Sequence, residues 1–88
     1  MKKISILGST GSIGTQALDL CARHPEEYRV TALTAKSSKE KLFEQVRRFR
    51  PEMAGLLDGI SASEIPEDLR FCRFLSGKEA LRAAASEN

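Results

Sequence analysis

The chain has 88 residues, of which 41% are hydrophobic and 30% charged, and its formal net charge is +2 at pH 7. A chain of this length supports one small domain, or part of one, around a small hydrophobic core. The near balance of charge excludes the strongly basic surface of a nucleic-acid-binding protein, and no apolar stretch approaches the roughly 20 residues that cross a bilayer. We therefore expect neither nucleic acid nor membrane as a partner.

The two cysteines and a cluster of three arginines have simple structural interpretations. Cys21 and Cys72 lie far apart and lack the spacing of a zinc site or a redox pair, so we expect two buried free thiols. Arg47, Arg48 and Arg50 interrupt the otherwise mixed charges, and we interpret them as a solvated helix face. Free thiols and the lack of a signal-peptide pattern favour a cytoplasmic protein.

Short apolar runs alternate with helical patterns along the first part of the chain. The apolar runs predict three strands, over Lys3–Leu7, Tyr28–Thr34 and Met53–Leu57. Because the connections are short and helical, right-handed crossovers and a parallel sheet are expected. The predicted fold class is α/β, a Rossmann-like doubly wound parallel sheet.

Two helices are predicted between these strands. The first runs from Ser12 to Arg23 and is ended by Pro25. Its apolar residues follow helical spacing and predict one buried stripe, made of Ile13, Ala17, Leu20 and Cys21. The second starts at the capping-box pair Ser37 and Glu40 and stops before Pro51. Its predicted buried stripe consists of Leu42, Phe43, Val46 and Phe49.

The last third of the chain has weaker patterns. Residues Ser61–Asp68 read as loop or a short helical turn, and residues Arg70–Leu75 have the composition of a fourth strand. A third helix is predicted to open with the capping-box pair Ser76 and Glu79 and to continue through the alanines at 83–85. Since a doubly wound sheet usually has five or six strands, we expect residues 1–88 to form its first, incomplete half, with an exposed edge beside the third strand.

The turn after the first strand has the spacing Gly8-x-x-Gly11-x-x-Gly14 and leads directly into the first helix. This arrangement is typical of a dinucleotide-phosphate site, where backbone N–H groups and the positive end of a helix dipole face an anion. Gly8 would let the chain leave the strand sharply, Gly11 would let a pyrophosphate approach, and Gly14 would let the helix pack close to the sheet. Thr10 and Ser12 add hydroxyl donors.

The end of the second strand indicates which dinucleotide is preferred. An NAD site places an acidic residue there, whereas in this chain the strand is followed by Lys36, Ser37, Ser38 and Lys39, and the first acidic residue after it is Glu40. A lysine attracts a 2′-phosphate and serine hydroxyls can donate to it. We therefore predict a preference for NADPH over NADH, the alternative being that these serines only cap the helix and the lysines are solvated.

No pattern in the chain indicates a catalytic group or a set of metal ligands. The single histidine, His24, is placed at the far end of the first helix from the glycine turn. The sequence therefore predicts a cofactor-binding part of an enzyme, without the part that carries the catalytic residues.

Residues 6–19, which contain Gly-Ser-Thr-Gly-Ser-Ile-Gly followed by Ala-Leu-Asp, resemble the N-terminal signature of the 1-deoxy-D-xylulose 5-phosphate reductoisomerase family. The resemblance continues through His24–Glu26, Tyr28–Val30 and residues 32–35. It is weaker over Phe49–Pro51 and Leu75–Leu81, and it spans nearly the whole chain with matching spacing.

The resemblance implies part of an NADPH-dependent, homodimeric enzyme of non-mevalonate isoprenoid biosynthesis. In that family, Mg²⁺ or Mn²⁺ holds the phosphosugar substrate, whose carbon skeleton rearranges before NADPH reduces the product to 2-C-methyl-D-erythritol 4-phosphate. By position, Thr10, Gly11, Ser12 and Ile13 would contact the NADPH phosphates, and residues 36–38 the 2′-phosphate end. The metal ligands and the substrate-phosphate groups would lie beyond residue 88, so the isolated chain is expected to be inactive.

One segment departs from the family pattern. The family often has Gly-Lys-Asn or Gly-Arg-Asn where this chain has Lys36, Ser37 and Ser38, so the basic residue is displaced by one position. Two other interpretations of the glycine turn stay open at this point. One is another NADP-binding Rossmann reductase or sugar-nucleotide epimerase, and the other is a free-standing nucleotide-binding module without catalysis.

Overall fold

The computed structural model describes residues 1–86, which form a four-stranded parallel sheet with helices on both faces. The strands are β1 (Lys2–Leu7), β2 (Tyr28–Ala35), β3 (Met53–Leu56) and β4 (Arg73–Ser76). The helices are α1 (Ser12–Arg23), α2 (Lys39–Phe49) and α3 (Gly77–Ser86). The predicted α/β class and the alternation of strands and helices are confirmed, while residues 87 and 88 of the proposed domain lie outside the described residues.

The strand order in the sheet is β1-β2-β3-β4. The predicted fourth strand exists but begins at Arg73, later than expected, because residues Glu67–Leu69 form a 3₁₀ turn and residues 70–72 continue as a turn and a bend. It pairs with β3 over its whole length, from Met53↔Arg73 to Leu56↔Ser76. The expectation of an exposed edge beside the third strand is therefore wrong: within residues 1–86, the open edges belong to β1 and β4.

The main core lies between the sheet and the helices α1 and α2. Its fully buried members include Leu33 and Leu56 on the sheet and Leu42 and Val46 on α2. The opposite face of the sheet packs against α3, through a smaller cluster of Ala32, Met53 and Ala84. Because β-strand side chains alternate in direction, neighbours such as Ala32 and Leu33 serve opposite faces. This two-sided cover makes the sheet doubly wound.

The predicted buried stripe of α1 is confirmed at Cys21, with Ala17 partly buried, and is wrong at Ile13 and Leu20. Ile13 is 83% exposed and Leu20 is 52% exposed. The buried row consists of Gly14, Leu18 and Cys21, whose spacing is also helical. The tight packing of Gly14 on the preceding turn rotates the helix so that this row faces the sheet. The stripe predicted for α2 is confirmed at Leu42, Phe43 and Val46, with Phe49 partly buried.

Neither predicted capping box forms as expected. At α2 the N-cap is Ser38, which makes no side-chain cap hydrogen bond. At α3 the Ser76 hydroxyl is engaged elsewhere, accepting from the Ile60 N–H at 2.9 Å and lying 3.2 Å from the Ile60 carbonyl. In the loop predicted between residues 61 and 68, the Glu64 carboxylate accepts from both the N–H and the hydroxyl of Ser61. Spacing alone did not distinguish these competing partners.

The predictions for the thiols and the basic group hold. Cys21 and Cys72 are free and buried. Burial raises the pKa of both thiols, that of Cys72 to about 12.

Arg47, Arg48 and Arg50 are exposed, and each contacts its own chain: Arg47 pairs with Asp68, Arg48 lies over Phe49 and Arg50 over Phe71. Among the helices of residues 1–86, none combines the length with the apolar composition that spanning a bilayer requires.

Candidate functional site

The glycine turn leaves β1 through a backbone conformation that favours glycine. Gly8 has φ +72°, in the left-handed region, and reverses the chain directly after Leu7. The turn is tied to β2, since the Gly8 N–H donates to Thr34 Oγ1 at 3.3 Å and the Ser9 N–H donates to the Thr34 carbonyl at 2.7 Å. The predicted sharp exit from the strand is confirmed.

Gly14 brings the first turn of α1 into direct contact with the glycine turn. A Cβ added to Gly14 would lie 2.2 Å from the Gly8 carbonyl oxygen and 2.8 Å from the Ser9 Cα. Gly11 has no such restriction, because its Cβ would stand 3.5 Å from the same oxygen, an ordinary contact. The close packing expected of Gly14 is present, but it is against the glycine turn and not against the strands of the sheet. The protein has no steric need for glycine at position 11.

The N-terminus of α1 presents free donors. Its N-cap, Gly11, has no side chain to cap the helix, and its first turn holds no acidic residue. The first N–H groups of a helix lack intrahelical acceptors, and within residues 1–86 no protein acceptor is found for those of Ser12, Ile13 and Gly14. Together with the positive end of the helix dipole, they form an environment that suits an anion.

Two side chains that the sequence did not single out hold the turn in place. Ser9 is fully buried, and its hydroxyl donates to Gln45 Oε1 on α2 at 2.6 Å. In return, Gln45 Nε2 donates to the Ser9 carbonyl at 2.8 Å. In the sequence, Gln45 reads as one more polar residue of an amphipathic helix, so no pattern could have identified it.

The segment after β2 lies at the same edge of the sheet as the glycine turn. The register Leu7↔Thr34 places the ends of β1 and β2 side by side, so the two predicted parts of the site come together. Lys36, Ser37 and Ser38 are exposed there. The Lys36 carbonyl accepts from the Asp58 N–H at 2.9 Å, which joins this segment to the loop that follows β3.

The neighbouring lysine has a different partner. Lys39 forms an ion pair with Glu64, and the two side chains are each 38% exposed. The hydrogen bond from the Lys39 ammonium group, together with those from the Ser61 N–H and hydroxyl, lowers the pKa of the Glu64 carboxyl group to about 2. Of the two lysines considered from sequence, Lys36 is therefore the one without an ion-pair partner in the described part of the chain.

The far end of α1 carries a separate group of metal-ligand types. One ligand atom each from His24, Glu26 and Glu27 lies within 4.8 Å of the others, at a partly exposed turn. The length of α1, about 18 Å for a helix of this size, separates it from the glycine turn. It does not fit a metal that acts beside a cofactor bound at the turn, and we derive no metal chemistry from it.

The sequence model of the 1-deoxy-D-xylulose 5-phosphate reductoisomerase family matches residues 4–88. The chain belongs to this family. The finding sets aside the epimerase and general reductase families that the glycine turn alone left open.

Reductoisomerases from several bacteria are similar to the chain. The protein of Moorella thermoacetica is 50% identical over 86 residues, which cover 96% of this chain and 22% of that protein. The protein of Nitrosomonas europaea is 47% identical over 89 residues, covering 97% and 22%. The chain thus spans about a fifth of the length of the curated relatives it matches.

Solved reductoisomerase structures share the fold. The Zymomonas mobilis reductoisomerase in complex with NADPH matches 96% of this chain with a TM-score of 0.79 at 31% identity, using 23% of its own length. A reductoisomerase in complex with NADPH, fosmidomycin and magnesium matches the whole chain with a TM-score of 0.81 at 31% identity, using 22% of its own length.

Proposed function

We propose that the chain supplies the NADPH-binding part of a 1-deoxy-D-xylulose 5-phosphate reductoisomerase. Such an enzyme rearranges and reduces 1-deoxy-D-xylulose 5-phosphate to 2-C-methyl-D-erythritol 4-phosphate in non-mevalonate isoprenoid biosynthesis. The observation that carries the proposal is the uncapped N-terminus of α1 behind the Gly8 turn, an arrangement that suits an anion, in a chain of this family. Its relative from Zymomonas mobilis has been solved with NADPH.

Within this proposal, the glycine turn holds the pyrophosphate. The free N–H groups of α1 would donate to the phosphate oxygens, with Thr10 and Ser12 adding hydroxyl donors. Gly11 supports this placement, because its missing side chain opens space on the outer face of the turn and not inside the protein. The residues in this group are Gly8, Thr10, Gly11, Ser12, Ile13 and Gly14.

The 2′-phosphate would lie at the segment after β2. Lys36 contributes a positive charge that is free of intramolecular ion pairs among the described residues, and Ser37 and Ser38 expose hydroxyl donors. Ser38 makes no cap hydrogen bond to α2, which leaves its hydroxyl available. Lys39 contributes less, since its ammonium group is paired with Glu64.

We further propose that residues 1–88 are the first half of the cofactor domain. The open edge of β1 supports this, because Leu7 and Ile13 beside it are 54% and 83% exposed. The metal site for Mg²⁺ or Mn²⁺ and the phosphosugar site would belong to residues outside 1–88, and the full-length enzyme would be a homodimer. A cytoplasmic location is proposed on the two free thiols, which suit a reducing compartment.

Amide-resolved NMR titration of the chain with NADPH tests the proposed function. We expect weak binding, because only part of the cofactor cleft is present, with shifts confined to the amides of residues 8–14 and 36–38. NADH should bind more weakly than NADPH. A dispersed spectrum that does not change with NADPH, or shifts clustered around His24, would contradict the proposal.

A chimaera provides the catalytic test. Residues 4–88 replace the matching segment of the Moorella thermoacetica reductoisomerase, and NADPH oxidation is followed with 1-deoxy-D-xylulose 5-phosphate. We expect turnover with NADPH. A folded chimaera without turnover, together with tight NADPH binding by the chain alone, would favour a non-catalytic nucleotide-binding module instead.

A further inference from the structure

We propose that Gln45 is a positioning residue for the cofactor turn. It holds the Ser9–Thr10 peptide in the orientation that presents the Thr10 N–H to the cofactor phosphates. This inference rests on the proposed NADPH site and adds to it a residue on a different helix, which would not itself touch the cofactor.

The geometry between Gln45 and Ser9 is reciprocal. The carboxamide offers an acceptor and a donor on one edge, and it meets the hydroxyl and the carbonyl of a single residue at 2.6 Å and 2.8 Å. The orientation of the amide is determined by chemistry, because the Ser9 carbonyl can only accept and so must face Nε2. Ser9 is fully buried and Gln45 is partly buried, so these two bonds are partly shielded from competing water.

The orientation of one peptide follows from these bonds. In a planar trans peptide the C=O and the next N–H point in opposite directions. With the Ser9 carbonyl directed at Gln45 on α2, the Thr10 N–H must point away from α2. Within residues 1–86 no protein group accepts a hydrogen bond from this N–H. It therefore adds one more free donor beside those of α1.

No other contact fixes this peptide as firmly. The flanking parts of the turn have their own bonds, from the Ser9 N–H to the Thr34 carbonyl and from the Gly11 N–H to the Gly8 carbonyl. The Thr15 hydroxyl lies 3.5 Å from the Ser9 carbonyl but is engaged at 2.7 Å with the Gly11 carbonyl. If Gln45 is removed, the Ser9–Thr10 peptide loses its main anchor while the rest of the turn stays bound.

The test compares Gln45→Met, which keeps the side-chain length but removes both bonds, with Ser9→Ala, which keeps the bond from Nε2 to the Ser9 carbonyl. The matched control is Gln16→Met on the exposed side of α1, where no side-chain hydrogen bond is found among the described residues. NADPH Kd and the Thr10 amide shift are measured on the chain. The KM for NADPH, the KM for the phosphosugar and kcat are measured in the chimaera.

We expect Gln45→Met to raise the Kd and KM for NADPH about tenfold, the effect of one lost good hydrogen bond to phosphate. The phosphosugar KM and kcat should stay near their original values, and the Thr10 amide resonance should shift without NADPH. Ser9→Ala should raise the Kd less than about threefold, since the peptide stays anchored, and Gln16→Met should not change it.

Several results would overturn the inference. An unchanged NADPH Kd in Gln45→Met, with normal NADPH binding by the unaltered chain, refutes the positioning role and leaves the proposed function intact. An effect of Ser9→Ala as large as that of Gln45→Met shows that the hydroxyl, and not the peptide orientation, is what matters. If the isolated Gln45→Met chain does not fold, the chimaera decides, and a fall in kcat at constant KM for NADPH contradicts the proposal. Failure of the unaltered chain and chimaera to bind NADPH rejects both proposals together.

Discussion

The backbones of Gly14 and Gly8 touch: a Cβ on Gly14 would come within 2.2 Å of the Gly8 carbonyl oxygen. This contact joins the start of α1 to the turn that precedes it, so the free N–H groups of the helix have a fixed position relative to β1. Gly14 and Gly11 consequently differ in role: Gly14 is needed for packing and Gly11 is not. Alanine substitutions at the two positions should therefore have different effects.

Gly14→Ala should destabilise the chain by about 2 kcal/mol, because the clash is with backbone atoms that cannot rotate away. Alanine is otherwise favoured over glycine inside a helix by about 1 kcal/mol, so a loss of stability identifies the clash. Urea unfolding measures the free energy of unfolding. A stabilised Gly14→Ala variant would show that the contact is looser than described.

Gly11→Ala should behave in the opposite way. Its backbone is extended and its Cβ would make only an ordinary contact, so the free energy of unfolding should change by less than about 0.5 kcal/mol. NADPH binding should nevertheless weaken severalfold, because the methyl group would occupy the proposed pyrophosphate position. Titration of the two alanine variants side by side checks this, and unchanged NADPH affinity in Gly11→Ala would place the phosphates elsewhere.

Gly55→Ala should force α3 to move away from the sheet at the position of Ala80. The new Cβ would lie 2.2 Å from the Ala80 Cβ, so the helix must shift and the free energy of unfolding should fall by about 2 kcal/mol. Ala80→Gly removes the opposing methyl group at a cost of about 1 kcal/mol in helix propensity. The double variant should be more stable than Gly55→Ala alone. Additive losses in thermal or urea unfolding would contradict this pairing.

The ion pair between Lys39 and Glu64 should make stability depend on pH. The folded-state pKa of Glu64 is about 2, below its ordinary value of 4.5, so the carboxylate stabilises the fold above pH 4.5 and loses this effect as the pH falls to about 2. The difference in Tm between the original chain and Glu64→Gln should shrink over that range. It should be small throughout and decrease with salt, since the pair is exposed. Glu67→Gln serves as a control without an ion pair among the described residues, and a difference that grows on acidification would reverse the assigned sign.

Cofactor preference should depend on Lys36 more than on Lys39. Lys36→Ala should reduce the ratio of NADPH to NADH affinity about tenfold, the effect of losing one charge-assisted bond to the 2′-phosphate. Lys39→Ala should change the ratio little, because that ammonium group is paired with Glu64. Both are measured in the chimaera as KM values for the two cofactors. A larger effect at Lys39 would exchange the two roles.

The two thiols should differ in reactivity. Burial raises the pKa of both, and that of Cys72 reaches about 12, so Cys72 should be alkylated more slowly by iodoacetamide at pH 8. Mass spectrometry of digests taken over time measures the two rates. The difference should vanish in guanidinium chloride, and faster labelling of Cys72 in the native chain would contradict the burial described.

The sequence predicts most reliably those structural features whose physical cause lies in the residues of the feature itself. Gly8, Pro25 and Pro51 act through backbone geometry at their own positions, so the turn and the two helix ends were predictable. The capping pairs were not, because the Ser76 hydroxyl could bond either within its own helix or to Ile60, a partner distant in the chain. On α1, the exposure of Ile13 and Leu20 was not predictable for a related reason, since the contact of Gly14 with Gly8 is part of the tertiary packing that decides which side of the helix is buried.

Spacing along the chain was enough to predict the α/β class and the family, and to indicate residues 8–14 and 36–38 as the proposed cofactor segments. The contacts that surround these segments came only from the fold. Gln45 forms hydrogen bonds with Ser9, which is 36 residues away in the sequence. Lys39 forms an ion pair with Glu64, whereas Lys36 has no ion-pair partner among the described residues. Strand β4 pairs with the edge of β3. These are contacts between distant segments, and local spacing carries no information about which of several chemically equivalent partners packing will bring together.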